Sequence, residues 1–296
     1  MIHTPVLLNE VIEYLDPKPG QKFIDATING GGHALAILEK IKPGGGLLGI
    51  EWDPEIYKNL ESRITNHEFG DRLIAVNDNY VNIEKIANSH GFTSTDGILF
   101  DLGMSTWQLT DSERGFTFSK DEALDMRFNN EEGETAADIL NNYNEEDIAN
   151  LIYKYGEERY SRGIAREIIA ERRQRPIKTT FQLVEAIKRG VPFRYRTGHI
   201  HFATRTFQAL RIVVNHELEN VENGIKKAIE TVRIGGRVAV ISFHSLEDRI
   251  VKNIFREAAK KGEVALLVKK PVVAGLEEKK QNPNSRSAKL RVVIKN

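Results

Sequence analysis

The sequence predicts an α/β fold: a Rossmann-like, mostly parallel sheet of seven strands with an inserted all-α domain. Three observations carry this. Apolar strand-like runs alternate with helical patterns through the first third of the chain. The alternation breaks for more than a hundred residues between Leu102 and Gly235, then resumes. The first strand closes on a glycine-rich turn that opens a helix. Strands and helices alternating at this spacing make a parallel sheet with both faces covered.

The elements follow in order. "KFIDATI" (22–28) is a short apolar strand and "GHALAILEKI" its helix. "GLLGIEW" (46–52) is the second strand, closed by Asp53-Pro54, and "EIYKNLESRI" is helical. "RLIAVNDNY" (72–80) is the third strand, "VNIEKIANSHG" a helix, and "DGILFDLG" (96–103) the fourth strand. A crossover normally takes a short loop, a helix and a short loop, so the long gap marks an insert. Within it, "TAADILNNYNEEDIANLIYKYG", "ERYSRGIAREIIAERRQ" and "TFQLVEAIKRG" have helical period, with Pro176 and Gly190 as stops. The sheet domain is therefore expected over 1–109 and 207–296, and the helical insert over 110–206. "ELENVENGIKKAIETV" leads into the fifth strand, "GRVAVISFHS" (236–245). "EVALLVKK" (263–270) and "AKLRVVIK" (288–295) complete the set.

Composition narrows the function. No cysteine is present, which removes disulfides, zinc-thiolate sites and thiolate nucleophiles. No stretch approaches the length of a membrane span, and the N-terminus lacks a signal peptide's basic region and cleavage site. A cytoplasmic protein is expected. The 42 basic and 42 acidic side chains balance, but unevenly. Residues 151–210 carry 13 Lys/Arg against 5 Asp/Glu, and residues 251–296 carry 12 against 4. Two readings stand: cationic blocks for a polyanion, with Arg172, Arg173, Arg175, Arg286 and Lys289 as phosphate partners and Arg291 alternating out of its strand into solvent, or solvated helix faces with internal Glu–Arg pairs.

Ligands of open α/β sheets sit at the carboxyl ends of the strands. Asn29-Gly30-Gly31-Gly32-His33 lies there, where glycines admit close approach and a helix N-terminus offers N–H groups. The turn is either a ligand cradle or merely a tight connection. Glu51 ends the second strand, where an acid can accept from both hydroxyls of an adenosine ribose. The turn departs from G-x-G-x-x-G and carries Asp25 five residues before its first glycine. A carboxylate there repels a pyrophosphate and suits a sulfonium or an α-amino group. S-adenosylmethionine therefore fits better than a dinucleotide, although a lone Asp also serves as a turn cap. On the same rim lie Tyr80, an adenine platform or a core aromatic, and Asp101, a carboxylate ending an apolar run. Ser242 and His244 end the fifth strand.

"HTPVLLNEV", "DATINGGGHA", "DGILFDLGMSTWQL", "RGFTF", "ALDMRF", "YGEERYSRGIAR", "TFQALRIVVNHEL", "VISFHSLEDRIVK" and "NPNSRSAKLRV" together resemble the RsmH (MraW) family nearly end to end. The resemblance implies a class I methyltransferase sheet with an inserted helical domain for RNA recognition. It also implies S-adenosylmethionine as cofactor and methylation of the exocyclic N4 of a cytidine in the decoding centre of bacterial 16S ribosomal RNA. The partner implied is 16S rRNA or the small ribosomal subunit. No membrane and no metal are implied, and a monomer or weak homodimer is expected. Carried over by motif, cofactor contacts fall on Gly31, Gly32, His33, Glu51, Tyr80, Asp101 and Gln108. Asn29, Glu51, Tyr80 and "STWQL" depart from the family's usual Gly, Asp, Phe and "SSPQL".

Cytosine N4 is a poor nucleophile because its lone pair is delocalised into the ring. It must be held in line with the methyl, beside acceptors for its proton. Asp101 and the carbonyls after it are the first choice, and His244 is the second catalytic candidate. A base taken out of its stack needs an apolar slot. Trp107, Phe116 and Phe118 are candidate walls, and each Phe also reads as core. The alternatives are a methyltransferase for DNA or a small molecule, and a non-catalytic assembly protein that binds S-adenosylmethionine or RNA.

Overall fold

The strands are apolar at successive positions, which only a sheet covered on both faces tolerates. The structure is a computed structural model that describes residues 5–65, 70–198 and 200–296. The strands are β1 (Lys22–Asp25), β2 (Gly46–Glu51), β3 (Leu73–Asn77), β4 (Thr95–Asp101), β5 (Val232–Ser242), β6 (Val264–Leu266) and β7 (Lys289–Lys295). They form one sheet in the order β3-β2-β1-β4-β5-β7-β6. β1 to β5 run parallel, and β7 is antiparallel to both β5 and β6. The strand order reverses between β1 and β4, which places the ligand crevice at their carboxyl ends.

Alternation splits the core between the two faces. Ile24, Leu48, Ile98, Phe100, Val238 and Val240 pack on one side. There they meet α4 (Ile83–Ser89), α12 (Glu217–Thr231) and α13 (Ser245–Lys260). Phe23, Leu47, Leu99, Ala239 and Ile241 pack on the other, with α1 (Leu8–Leu15), α2 (Gly32–Lys40) and α3 (Pro54–Thr65). Between β4 and α12 run α5 (Thr106–Thr110), α6 (Ala136–Asn142), α7 (Glu145–Gly156), α8 (Ser161–Gln174), α9 (Thr180–Gly190), α10 (Phe193–Arg196) and α11 (Thr204–Val214). The short α14 (Leu276–Gln281) precedes β7. Among the described residues, no helix is long and apolar enough to cross a membrane.

The chain divides into two compact units, Met1–Ser105 with Leu218–Asn296, and Thr106–Glu217. The second unit is longer at both ends than the 110–206 read from sequence. α11 packs on α7 and α6, so its apolar face belongs to the helical core. Other elements also end elsewhere than expected. β1 stops at Asp25 instead of 28, β3 at Asn77 instead of 80, β4 at Asp101 instead of 103 and β5 at Ser242 instead of 245. Past β1 and β4 the backbone still bonds the neighbouring strands through the N–H groups of Ala26, Ile28 and Leu102, but outside the regular ladder. β6 is only three residues long against the eight of "EVALLVKK", as befits the sheet edge.

The helical unit corrects one reading of its basic block. Arg172, expected to hold phosphate, donates from Nη1 to the carbonyls of Leu140 at 2.7 Å and Tyr143 at 2.6 Å, closing the C-terminus of α6. Arg175 pairs with Glu171, and Arg189 with Glu167 and Glu171. Here the solvated-face reading describes Arg175, and Arg172 is structural. Arg172→Ala is expected to lower unfolding free energy by ~1.5–3 kcal/mol, the range for hydrogen bonds to a charged group. The exposed Arg173→Ala should change it by less than ~0.5 kcal/mol. Urea unfolding of the two variants checks the difference.

Candidate active site

The turn after β1 is built by its own backbone. Asn29 (φ 47°) and Gly31 (φ 76°) take left-handed conformations, which Asn tolerates and Gly prefers. Gly31 is the N-cap of α2, so the first-turn N–H groups of Gly32 and His33 face the carboxyl edge of the sheet. Arg63 Nη1 donates to the Gly30 carbonyl at 2.6 Å. Glu51, at the end of β2, holds the turn from the other side. Its Oε2 accepts from Asn29 N–H at 3.0 Å and its Oε1 from Asp53 N–H at 2.9 Å. A carboxylate has about four lone-pair sites, so two bonds leave acceptor capacity for a ribose diol.

Three buried carboxylates end three adjacent strands: Asp25 on β1, Glu51 on β2 and Asp101 on β4. Burial pushes the Asp25 carboxyl up to about 7, against the pull of His33 and of the Thr27 N–H. Burial pushes Glu51 up to about 8, against the N–H groups of Asp53 and Asn29. Burial likewise pushes Asp101 up to about 7, against the Gly103 N–H and with help from the negative Glu247. Among the described residues no Lys or Arg pairs with any of the three. Asp101 Oδ1 is buried with no hydrogen-bond partner. This donor set suits a ligand that brings positive charge and hydroxyl donors.

Asp101 is fixed from two sides. Its N–H donates to Thr27 Oγ1 at 2.6 Å, which locks β4 to the end of β1. Its Oδ2 lies 3.5 Å from His33 Nδ1. His33 Nε2 lies 3.0 Å from the Val6 carbonyl, which can only accept. Nε2 therefore carries the proton, and in the neutral ring Nδ1 turns its lone pair to Asp101. Burial pushes the His33 imidazole down, so the neutral ring is favoured.

The remaining candidates sort differently. Tyr80 lies past β3, in a 3-10 turn (Tyr80–Asn82) that Asp78 and Asn79 brace by hydrogen bonds to backbone and Asn82. Its ring packs edge-on against Phe100 at 5.5 Å. It also lies so close to α12 that a Cβ on Gly224 would approach it to 2.6 Å. Tyr80 thus has a packing role beside any ligand role. His244 is the N-cap of α13, with Nδ1 accepting from Glu247 N–H at 3.3 Å. Buried Glu247 returns the bond to the N–H groups of Phe243 and His244 and lies 3.1 Å from His244 Nε2. The capping box H-S-L-E was legible in the sequence, but the usual signature has Ser or Thr at its head. Ser242 Oγ reaches the Lys289 carbonyl.

Gln108 belongs to the second unit, where it is buried on α5, and the constellation above is built without it. In that unit Phe116 stacks on Phe128 at 5.5 Å and Phe118 on His201 at 4.5 Å, so both Phe rings serve packing. The Arg114 guanidinium lies over the Trp107 ring at 5.2 Å. Sequence reading missed Thr27, Glu247 and the Val6 carbonyl. Thr27, two residues past Asp25, carried a signal as a polar residue in a buried strand end, and Glu247 carried one as the last residue of H-S-L-E; the Val6 carbonyl carried none.

A pH dependence follows. Each raised carboxyl holds its proton more tightly in the folded chain than in the unfolded one. The folded chain therefore binds more protons from ~pH 4 to ~pH 8, and stability falls as pH rises through that window. The stabilisation is complete below the unfolded carboxylate range and lost above about 8 for Glu51. Thermal unfolding of the ligand-free protein should therefore show a lower Tm at the top of this window than at its foot. Glu51→Gln, neutral at every pH, should reduce the slope.

Comparison with known proteins places the chain among methylases. The MraW methylase family matches residues 1–296. Ribosomal RNA small subunit methyltransferase H of Thermotoga neapolitana is 47% identical over 292 residues, covering 98% of this chain and 94% of that protein. The protein of the same name from Trichlorobacter lovleyi is 44% identical over 308 residues, covering 99% and 98%. That of Symbiobacterium thermophilum is 44% identical over 308 residues, covering 99% and 96%.

Proposed function

Because this chain belongs to the MraW methylase family, we propose that it methylates the exocyclic N4 of a cytidine in the decoding centre of 16S ribosomal RNA, with S-adenosylmethionine as donor. The observation that carries the chemistry is Asp101: a buried carboxylate at the sheet's switch point with one oxygen unpartnered. The names of the relatives support the small-subunit RNA as substrate.

S-adenosylmethionine supplies a methyl group on a sulfonium, an electrophile strong enough for a weak nitrogen nucleophile. Gly31, Gly32 and His33 present the α2 N-terminus to it, Glu51 accepts from the ribose and Tyr80 borders the adenine. Asp25 and Asp101 offer negative charge to the sulfonium and the α-ammonium. Asp101 would orient the N4 amino group and take the proton that N4 gives up on methylation. The lone pair on His33 Nδ1, 3.5 Å away, can accept from that carboxyl once it carries the proton. His244 caps α13 beside this rim and has a positioning role. A monomer or weak homodimer is part of the proposal. The reaction is placed in the cytoplasm, with the ribosomal subunits.

Transfer of labelled methyl from S-adenosylmethionine to small ribosomal subunits tests the reading. Label on the subunit RNA is the expected result. Label on DNA or a small molecule alone would move the substrate, and cofactor binding without any transfer would make the chain a non-catalytic binder. The positive cofactor also favours ionised Asp25, Glu51 and Asp101, so its affinity should rise from about pH 5.5 to about pH 8. Equilibrium titration at the two pH values checks this.

A further inference from the structure

Next to the strand end that carries Asp101, the first unit encloses a second concavity. The turn after β5 and the segment before β7 line a cavity of about 280 Å³ with Phe243, His244, Lys279, Arg286, Ser287 and Lys289. That is close to the ~300 Å³ at the lower end of small-ligand sites. Lys289 and the buried Arg291 both pair with Asp248, at 3.2 and 2.7 Å, which corrects the expectation of a solvent-facing Arg291. Lys279 and Arg286 form no ion pair with any described residue. One wall is aromatic: the half-buried Phe243 ring lies on Gly103, where an added Cβ would come within 2.7 Å of it.

Resting on the methyltransferase reading above, we propose that this cavity holds one nucleotide of the RNA next to the methylated cytidine, its base on Phe243 and its phosphate between Lys279 and Arg286. The chemistry is that of single-strand recognition: an aromatic face for a base of any sequence and unpaired cations for the backbone. Placement makes the occupant a neighbour and not the target. Neither Asp101 nor the β1 turn lines the cavity. Yet Asp101 pairs with Ile241 across β4 and β5, one strand spacing or about 4.8 Å, and Phe243 follows two residues later. A base lifted from its stack beside Asp101 brings the adjoining nucleotide to this wall. Gripping that nucleotide also contributes to alignment at N4 by fixing the backbone on one side of the target.

The test uses the full-length protein, small ribosomal subunits and a single-stranded RNA spanning the methylated site. Lys279→Gln with Arg286→Gln should flatten the slope of log K against log salt by about 0.7, the value for one lost phosphate contact on a single strand. RNA affinity should fall tenfold or more at low salt, and S-adenosylmethionine affinity should stay as in the wild type. Phe243→Leu should raise KM for RNA, with Phe243→Trp restoring it, a rescue that a purely structural role for the ring would not give. If the wild type methylates RNA while the double variant keeps its RNA affinity and salt slope, the cavity is not a nucleotide site. If the wild type binds the RNA but methylates nothing, the methyltransferase reading fails, and the salt slopes still decide the cavity. A wild type that does not bind the RNA overturns both.

Discussion

Asp101→Asn is expected to fold normally and to lose methyl transfer by about 10²–10⁴-fold in single turnover, the range for removing a proton acceptor from the transition state. Asparagine keeps the shape of the side chain and its bond to the Gly103 N–H. It cannot take a proton from N4. Because burial already pushes the Asp101 carboxyl up to about 7, a neutral amide removes a charge that the folded chain holds at a cost. The Tm of the ligand-free variant near pH 8 should equal or exceed that of the wild type. Activity lost together with stability would indicate collapse of the site. Activity lost with stability kept identifies chemistry. Single turnover at saturating cofactor and RNA separates the two from binding, and near-normal turnover there would remove Asp101 from the reaction.

Glu51→Ala should act on binding and folding together. The substitution removes the proposed ribose acceptor and leaves the Asn29 and Asp53 N–H groups without their partner. Leaving such groups unpaired costs ~1–3 kcal/mol, and the same range applies to cofactor affinity. Glu51→Gln separates the two, because its amide oxygen can accept from one of the N–H groups while its amide nitrogen cannot accept from a ribose hydroxyl. A larger loss of S-adenosylmethionine affinity than of stability in Glu51→Gln is the expected pattern. Unchanged affinity in a folded Glu51→Ala protein would take Glu51 out of the site.

What the sequence made legible was set by periodicity and by strand ends. Apolar runs such as "GILF" and "LLGI" have no stable place except a sheet buried on both faces, and the acid that closes each run must face the crevice. That reasoning reached Asp25, Glu51 and Asp101 without coordinates. It placed Tyr80 on a strand, because "RLIAV" runs straight into "NDNY". The Asp78 and Asn79 side chains instead bond local backbone and end β3 early. It assigned Arg172 to RNA because no local signal says that the C-terminus of α6 lies within its reach. It turned Arg291 outward by alternation alone, whereas Asp248 of α13 meets it. Partners far apart in the chain decided the roles of Arg172 and Arg291, whereas immediate neighbours decided that of Tyr80.

On the proposed function, the carboxylate-lined end of β4 directs a methyl group to cytidine N4 in small-subunit RNA. The direct measurement is nucleoside analysis of small ribosomal subunits, taken from cells lacking this protein and incubated with S-adenosylmethionine and either the wild type or Asp101→Asn. The wild type should produce N4-methylcytidine at one position in the decoding centre, and Asp101→Asn should produce little or none in the same time. A methyl group on another atom or another RNA, or equal product from both proteins, would contradict the account.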